Sequence, residues 1–544
     1  MPSVLVGRME ILLVGVLAVA CAAAPDGADP GLELLVTSAG PATSRTCYPT
    51  RELPRFLKGT YLVAGPAKFE VGEYRYQAIF DGLGKMNRFE IEEGKVCYTS
   101  AWMETGTYQS AMREGRPGRG LLFEETQPPR PPCFTPLCNV RGPNDNNWVN
   151  VIPVGDDQVL LLTDSPQMLS MDLETLKISG RKVWSNDKGS ALAPPSPEWL
   201  GGLHAAPTGS AHPLRIPGTR TWVDVIGEMP ILLGHNWMDV YTFDGSQSGP
   251  QPRVKIGSIR TKDTQYIHSF GVTQNHVVLI FDLQMKVNPL HFDQVLGAIQ
   301  GDTQGIHVMD FGGRWRSFET EPFFHVHTIN TFENASGIVM DLGLYKELPF
   351  AKSPQLDMAL FLNKTARDTN PVRSGVRRLH LHTSGWRSGS VTFEDLVPIA
   401  RQVDFFRINP AYEGLPYCVY YATEWWHDDR SYASEAVLKH NVCTGEKQYW
   451  HREGTYVGEP MFVASGAEGA REDDGVVVFV ALFGESRRSR FVTLDARSMA
   501  LLESVELPGH IPFTAHGHFI PARPRPAATG TAAAGPAGAP AIVV

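Results

Sequence analysis

Between residues 49 and 521 the chain runs in short apolar stretches, most of them five to seven residues long and bounded by Asp, Gly or Asn. Examples are residues 158–163 (QVLLLT), His276–Phe281 (HVVLIF), 337–342 (GIVMDL) and 476–482 (VVVFVAL). Runs this short, rich in β-branched and aromatic residues, predict strands. A looser unit also recurs. A strand ends in an acidic or polar residue, a turn with Thr, Ser or Gly follows, and a second strand begins. It is seen in SMDLETLKI around Asp172, KHNVCTGEKQYW around Cys443 and TLDARSMALLESV around Asp495. The gaps leave little room for crossover helices, which disfavours a parallel α/β fold. Hairpins repeated over some 470 residues suit an all-β propeller of four-stranded blades around a central channel. The repeat is too degenerate to count the blades.

Composition changes this picture little. The chain has 544 residues, with 52 Gly and 41 Pro, 42% apolar and 20% charged residues, as expected of a turn-rich globular protein. A net charge of -9 and a pI near 6 argue against nucleic acid as a partner, since phosphate binding needs a basic face. The seven cysteines contain no CxxC pair; Cys133 and Cys138 stand close enough to bridge or to bind metal, or are free thiols in a Pro-rich loop. Residues 1–25 carry Arg8, an apolar run of about 14 residues and then Ala22, Ala23 and Ala24, short of the ~20 residues that span a bilayer. They read as a secretory signal peptide, with a short anchor or a plastid address as alternatives. That points to the secretory pathway and ER, or to a plastid, more than to the cytoplasm. Sequons at Asn334 and Asn363 matter only for a secreted chain. The expected organisation is therefore a targeting segment (1–25), a linker (26–48), one propeller domain (49–521) and a disordered Ala/Pro/Gly tail (522–544).

The candidate chemistry lies in the 17 histidines. Three H-x-H pairs occur, His325/His327, His380/His382 and His516/His518. On a strand such pairs face one side and can chelate, but at this histidine count pairs alone select no ligands. Four contexts stand apart: SAHP at His212, YIHSFG at His268, FFHVHTINTFE at His327 and FTAHGHF at His516. Together they resemble the iron-binding segments of the carotenoid cleavage oxygenases, the family of carotene dioxygenases and the retinoid isomerase of the eye. Further segments match in the same order: residues 57–91 with its Gly-Pro and FDG motifs, residues 144–157 (NDNNWVNVIPVGDD), residues 458–463 (GEPMFV) and residues 472–478 (EDDGVVV). The resemblance covers about residues 50–520 and is nearer the animal-type branch.

That resemblance implies a seven-bladed propeller with a loop and helix cap over the iron-bearing face. It implies one Fe(2+) per chain held by His212, His268, His327 and His516. The spacings of 56, 59 and 189 residues are compatible with one imidazole from each of four blades. His325 yields to His327 by its distance from Asn330, His518 to His516, and His204 to His212. The family's three supporting glutamates fall on Asp164, Asp404 and Glu459. Two are aspartates here, shorter by about 1.5 Å of reach, so a shifted backbone, a bridging water or looser iron is expected. The implied substrate is a lipophilic polyene in an apolar tunnel, with Trp102 and Thr163 at tunnel positions by motif. Segments 112–123 and 287–299 are candidates for docking on a membrane surface. The implied reaction is insertion of O2 as co-substrate at one C=C bond of a carotenoid or apocarotenoid, with central cleavage to retinal as the specific expectation. No GxSxG or HExxH occurs to suggest other chemistry. A retinoid isomerohydrolase on the same iron and a non-enzymatic carotenoid-binding propeller are the alternatives. The oligomeric state is not legible.

Overall fold

The computed structural model describes residues 29–118, 122–130, 145–186, 204–230, 235–285, 296–298, 302–348, 356–385, 387–427, 431 and 433–522. Seven antiparallel sheets of four or five strands follow one another along the chain, over residues 43–102 with 517–521, then 150–181, 204–261, 271–320, 324–401, 403–451 and 455–506. They are the seven blades of a β-propeller. Within most blades successive strands are neighbours, the first blade being the main exception, and burial falls from the middle outwards. Gly337–Tyr345 is buried at every position and Gly475–Phe483 at all but its first residue, whereas the outermost Trp315–Thr320 is mostly exposed. A strand covered on both faces needs a continuous apolar run, not an alternating one. That is why these segments read as uniform hydrophobic runs.

Seven apolar clusters fill the seven junctions between neighbouring blades. Tyr61 and Val63 of the first blade, for instance, pack on Val478 and Val480 of the seventh. The ring is closed within the first blade. Its inner edge strand is Gly517–Pro521 from the far end of the chain, paired with Gly59–Lys68 from Val63↔Gly517 to Gly59↔Pro521. Its outer edge is Thr43–Pro49, tied to Lys95–Trp102 by the Cys47–Cys97 disulfide. Residues 26–48, expected to be a linker, are thus partly built into the fold. The recurrent polar turn is the outermost hairpin of a blade. Asp172 accepts from the Thr175 N–H (2.7 Å), Asn441 from the Cys443 N–H (3.0 Å) and Asp495 from the Ser498 N–H (2.8 Å), local side-chain bonds that favour turns.

One face carries a cap. Leu32–Val36, helix α1 (Gly106–Glu114), and helices α2 (Met358–Leu362) and α3 (Lys364–Thr369) lie outside the blades. Leu32, Phe69, Tyr76, Ile79, Ala111, Met358 and Phe361 share a cluster with Phe405 and Trp425 of the sixth blade. Two segments of the matching motifs stitch the first two blades. The Asn146 amide accepts from the Gly84 N–H (3.1 Å) and donates to the Gly82 carbonyl (2.9 Å), while Asn147 donates to the Leu161 carbonyl (3.0 Å). No described helix is long and apolar enough to cross a membrane. Cys133, Cys138, residues 1–25 and residues 523–544 lie outside the described residues.

Candidate metal centre

Four blades each deliver one imidazole to the axis. His212 lies between strands His204–Gly209 and Leu214–Arg215, and His268 between Gln265–Tyr266 and Gly271–Val272. His327 sits in Phe324–Asn334, and His516 directly precedes Gly517–Pro521. Serines beside these histidines hand one blade to the next. Ser210 Oγ donates to the His268 carbonyl (2.6 Å) and Ser269 Oγ to the Val326 carbonyl (2.6 Å), which gives the serines of SAHP and IHSFG a structural part. At His327 the strand pairing slips between His325 and Thr328. Such a bulge re-aims side chains, and the i, i+2 rule fails here. His325 turns to Asp282 instead (Nδ1 to Oδ2, 2.7 Å), and His518 does not join the group either.

The Nε2 atoms of His212 and His268 stand 3.1 Å apart, those of His268 and His327 3.1 Å, and those of His327 and His516 2.9 Å. One donor atom from each of the four lies within 4.8 Å of every other. Three of the rings have their other nitrogen on a carboxylate: His268 Nδ1 is 2.9 Å from Asp164 Oδ1, His327 Nδ1 2.6 Å from Asp404 Oδ1, and His516 Nδ1 2.7 Å from Glu459 Oε1. A neutral imidazole that donates from Nδ1 has only a lone pair at Nε2. Lone pairs aimed at one another at 3 Å repel unless a cation lies between them. Metal–imidazole bonds of about 2.1 Å meeting at a right angle give an edge of about 3.0 Å, against about 3.4 Å in a tetrahedron. The donor set therefore fits a divalent metal with cis imidazoles. Burial first, and then the neighbouring imidazoles, push His212 and His516 well below the ordinary 6.5, keeping them in the form a metal needs.

The acids are themselves fixed. Tyr266 donates to Asp164 Oδ2 (2.7 Å), Tyr345 to Asp404 Oδ2, and Arg407 to Glu459 Oε2 (2.8 Å). Burial works to raise the Asp404 carboxyl, but His327 and the hydrogen bonds around it hold it below the usual aspartate value. Both aspartates make direct contact, so no bridging water is required. The backbone supplies the missing reach at Asp404. Pairing slips between Asp404 and Arg407, and Phe405 adopts φ 56, a left-handed conformation unusual for a bulky residue. The same bulge lays the Phe405 ring against His516 and His327, with centroids 4.9 and 5.5 Å away.

A sequence profile of the retinal pigment epithelial membrane protein family matches residues 41–521. The chain belongs to this carotenoid oxygenase family. A carotenoid isomerooxygenase of Galleria mellonella is 24% identical over 87% of this chain and 93% of its own length. A β,β-carotene 15,15'-dioxygenase of Mus musculus is 26% identical over 87% and 88%. Among solved structures, an apocarotenoid oxygenase of Synechocystis superposes with a TM-score of 0.73 at 20% identity over 90% of this chain and 98% of its own. A cobalt-substituted form of that enzyme gives 0.72 at 21%, over 91% and 99%.

Within the carotenoid oxygenase fold the remaining candidates take distinct positions. Thr163 directly precedes Asp164 and is half-buried. Trp102 stacks on Tyr108 with the Lys85 ammonium 4.8 Å from its ring centre, a mixed apolar and cationic setting. An aromatic path not read from the sequence leads away from the imidazoles. Phe405 meets Phe513 (6.1 Å), Phe513 meets Phe80 (6.2 Å), and Phe80 meets Trp148 (6.0 Å) and Phe123 (5.9 Å), whose side chain is exposed. Asp81, next to Phe80 in the FDG motif, accepts from the Phe123 and Glu124 N–H groups at 3.0 and 3.2 Å and so fixes that end of the path. Met112 and Phe123, at the two ends of segment 112–123, are both exposed. Of segment 287–299 only residues 296–298 are described, as a short strand. Tyr266, Tyr345, Arg407 and Phe405 went unread, because nothing local marks a residue that acts across a blade junction.

Proposed function

We propose that the protein is an iron(II)-dependent dioxygenase that cleaves one C=C bond of a carotenoid or apocarotenoid to carbonyl products, with central cleavage to retinal as the specific reaction. The observation that carries the reading is the convergence of one ring nitrogen from each of four imidazoles, three of the rings backed by a carboxylate. His212, His268, His327 and His516 would hold the metal, and bound iron(II) would supply the dioxygen chemistry. Imidazole is a fitting donor for iron, and a carboxylate on the far nitrogen sets its tautomer and basicity. Asp164, Asp404 and Glu459 take that part, each locked by a further donor.

The chain's own contribution to the substrate is shape and dryness. A polyene needs an apolar, aromatic wall. The Phe405–Phe513–Phe80 path offers one beside the imidazoles, and Thr163 and Trp102 are further contact candidates. The exposed Met112 and Phe123 support docking on a membrane surface, where such substrates dissolve. The likeness to a β,β-carotene 15,15'-dioxygenase supports the central bond. The likeness to a carotenoid isomerooxygenase favours a second reading, in which cleavage is coupled to isomerisation.

The test is anaerobic reconstitution with Fe(II), addition of β-carotene in detergent, admission of oxygen and identification of products by chromatography and mass spectrometry. Retinal that depends on iron, oxygen and His268 is the expected result, and its geometry separates the two readings. Only eccentric fragments would sink central cleavage. Bound iron without oxygen uptake would favour isomerohydrolase chemistry, and polyene binding without turnover would favour a carrier.

A further inference from the structure

All four cysteines among the described residues are paired. Cys47 bridges to Cys97 across two directly paired strands, and Cys418 to Cys443 between the inner hairpin and the outer turn of the sixth blade. Structural disulfides form and persist in oxidising compartments and are rare where thiols are kept reduced. Cys21 lies within the segment read as a signal peptide, so its removal would leave six cysteines, an even number. Two independent observations therefore point to the same route, the sequence of the first 25 residues and the pairing of the thiols.

Both sequons of the chain lie at the surface. Asn334 ends the strand Phe324–Asn334 at a two-residue hairpin turn, and Asn363 joins α2 to α3 on the cap. Both are exposed. Their side chains are held by the oxygen alone. Asn334 Oδ1 accepts from the Ser336 N–H (2.9 Å), Ser336 Oγ (2.8 Å) and the Gly337 N–H (3.1 Å), and Asn363 Oδ1 accepts from the Ala366 N–H (3.1 Å). Neither Nδ2 donates a hydrogen bond among the described residues. A substituent on that nitrogen would leave the hairpin turn and the helix cap as they are.

We propose that the protein passes through the secretory pathway and carries N-linked glycans at Asn334 and Asn363. The donor is an oligosaccharide linked to a lipid diphosphate. A bond forms between Asn Nδ2 and the anomeric carbon, the sugar–phosphate C–O bond breaks, the diphosphate leaves with its electron pair, and the amide gives up one proton. Each disulfide forms as two thiols lose two electrons and two protons to a disulfide-bearing oxidoreductase. None of this depends on the reaction catalysed, so the two proposals fail separately.

The test is expression of the full chain in animal cells, followed by electrophoresis before and after treatment with peptide N-glycosidase. Two steps of mobility are expected to collapse to one faster band. Asn334→Gln and Asn363→Gln should each remove one step. Thr365→Ala keeps the Asn363 cap bond and should remove the same step as Asn363→Gln, while Thr365→Ser should restore it, so loss of folding cannot imitate the result. Cys47, Cys97, Cys418 and Cys443 should resist a maleimide reagent until reduced. A folded protein with no glycosidase shift would overturn the glycan sites, and free reaction of the four cysteines in intact protein would overturn the route.

Discussion

Asp404 reaches His327 at 2.6 Å from a wholly buried position, with its second oxygen taken by Tyr345. A longer acid has no room to improve on this. Asp404→Glu, which restores the residue type expected from the family, should overpack the bulge at a cost of about 1–3 kcal/mol and lower metal affinity. Asp404→Asn keeps the shape but loses the charge, and should weaken metal binding roughly 10–100-fold. Metal retained after dialysis against a chelator, compared with the melting of the apo forms, separates the two effects. Gly65 is a second sensitive residue. A Cβ there would lie 2.3 Å from the Phe513 carbonyl oxygen and 2.9 Å from the Thr514 Cα, both backbone atoms just ahead of His516. Gly65→Ala should displace His516 and cut metal occupancy more than it lowers the melting temperature of the apo protein. This explains in physical terms why a glycine stands in the Gly-Pro motif. The histidines and their acids, which the structure brings together, were named in advance only through the family resemblance, carried by motifs of several residues around each. Phe405 was not, because its part rests on a backbone slip that no residue beside it announces.

At the scale of elements, the outer hairpins were readable and the cross-links between them were not. A polar residue, a short turn and a hydroxyl form a local signal with a local cause. The Cys47–Cys97 and Cys418–Cys443 pairs join residues 50 and 25 apart, and cysteine counting leaves such pairings open. The sixth blade carries a prediction of its own. His440, buried in Ala436–Asn441 and 2.9 Å from the Tyr420 hydroxyl, is pushed down to about 4 by burial and then by Lys447. Its folded value lies below the unfolded 6.5, so the unfolded chain binds the extra proton between those values. The stability this residue secures is present in full above pH 6.5 and is lost as the pH falls toward 4. At about 1.4 kcal/mol per unit the loss is on the order of 3 kcal/mol. Denaturant midpoints of apo protein from pH 7 to 4 should fall less steeply for His440→Gln than for the parent chain.

At the scale of the whole molecule, the number of blades became countable only when the junctions were visible. The sequence repeat is degenerate because each blade faces different neighbours, and because the cap and loop insertions vary in length. The ring also sets the metal centre's tolerance to damage. Its fourth imidazole and the strand that closes the first blade come from the same short stretch, residues 516–521. A chain ending at residue 510 loses both together. It should elute as aggregate on size exclusion and retain no stoichiometric metal, whereas removal of residues 523–544 should leave both properties unchanged.

The closing strand has a further consequence for how the protein is made. The inner edge of Gly59–Lys68 receives its partner only when residues 517–521 have emerged, about 450 residues later. At roughly 5–20 residues per second of synthesis, that edge waits tens of seconds with its backbone N–H and C=O groups unpaired. An open edge of this kind is a template for pairing with other chains. The nascent protein should therefore need shielding during translation, and its yield should respond to translation speed and to chaperone supply more strongly than the stability of the finished ring would suggest.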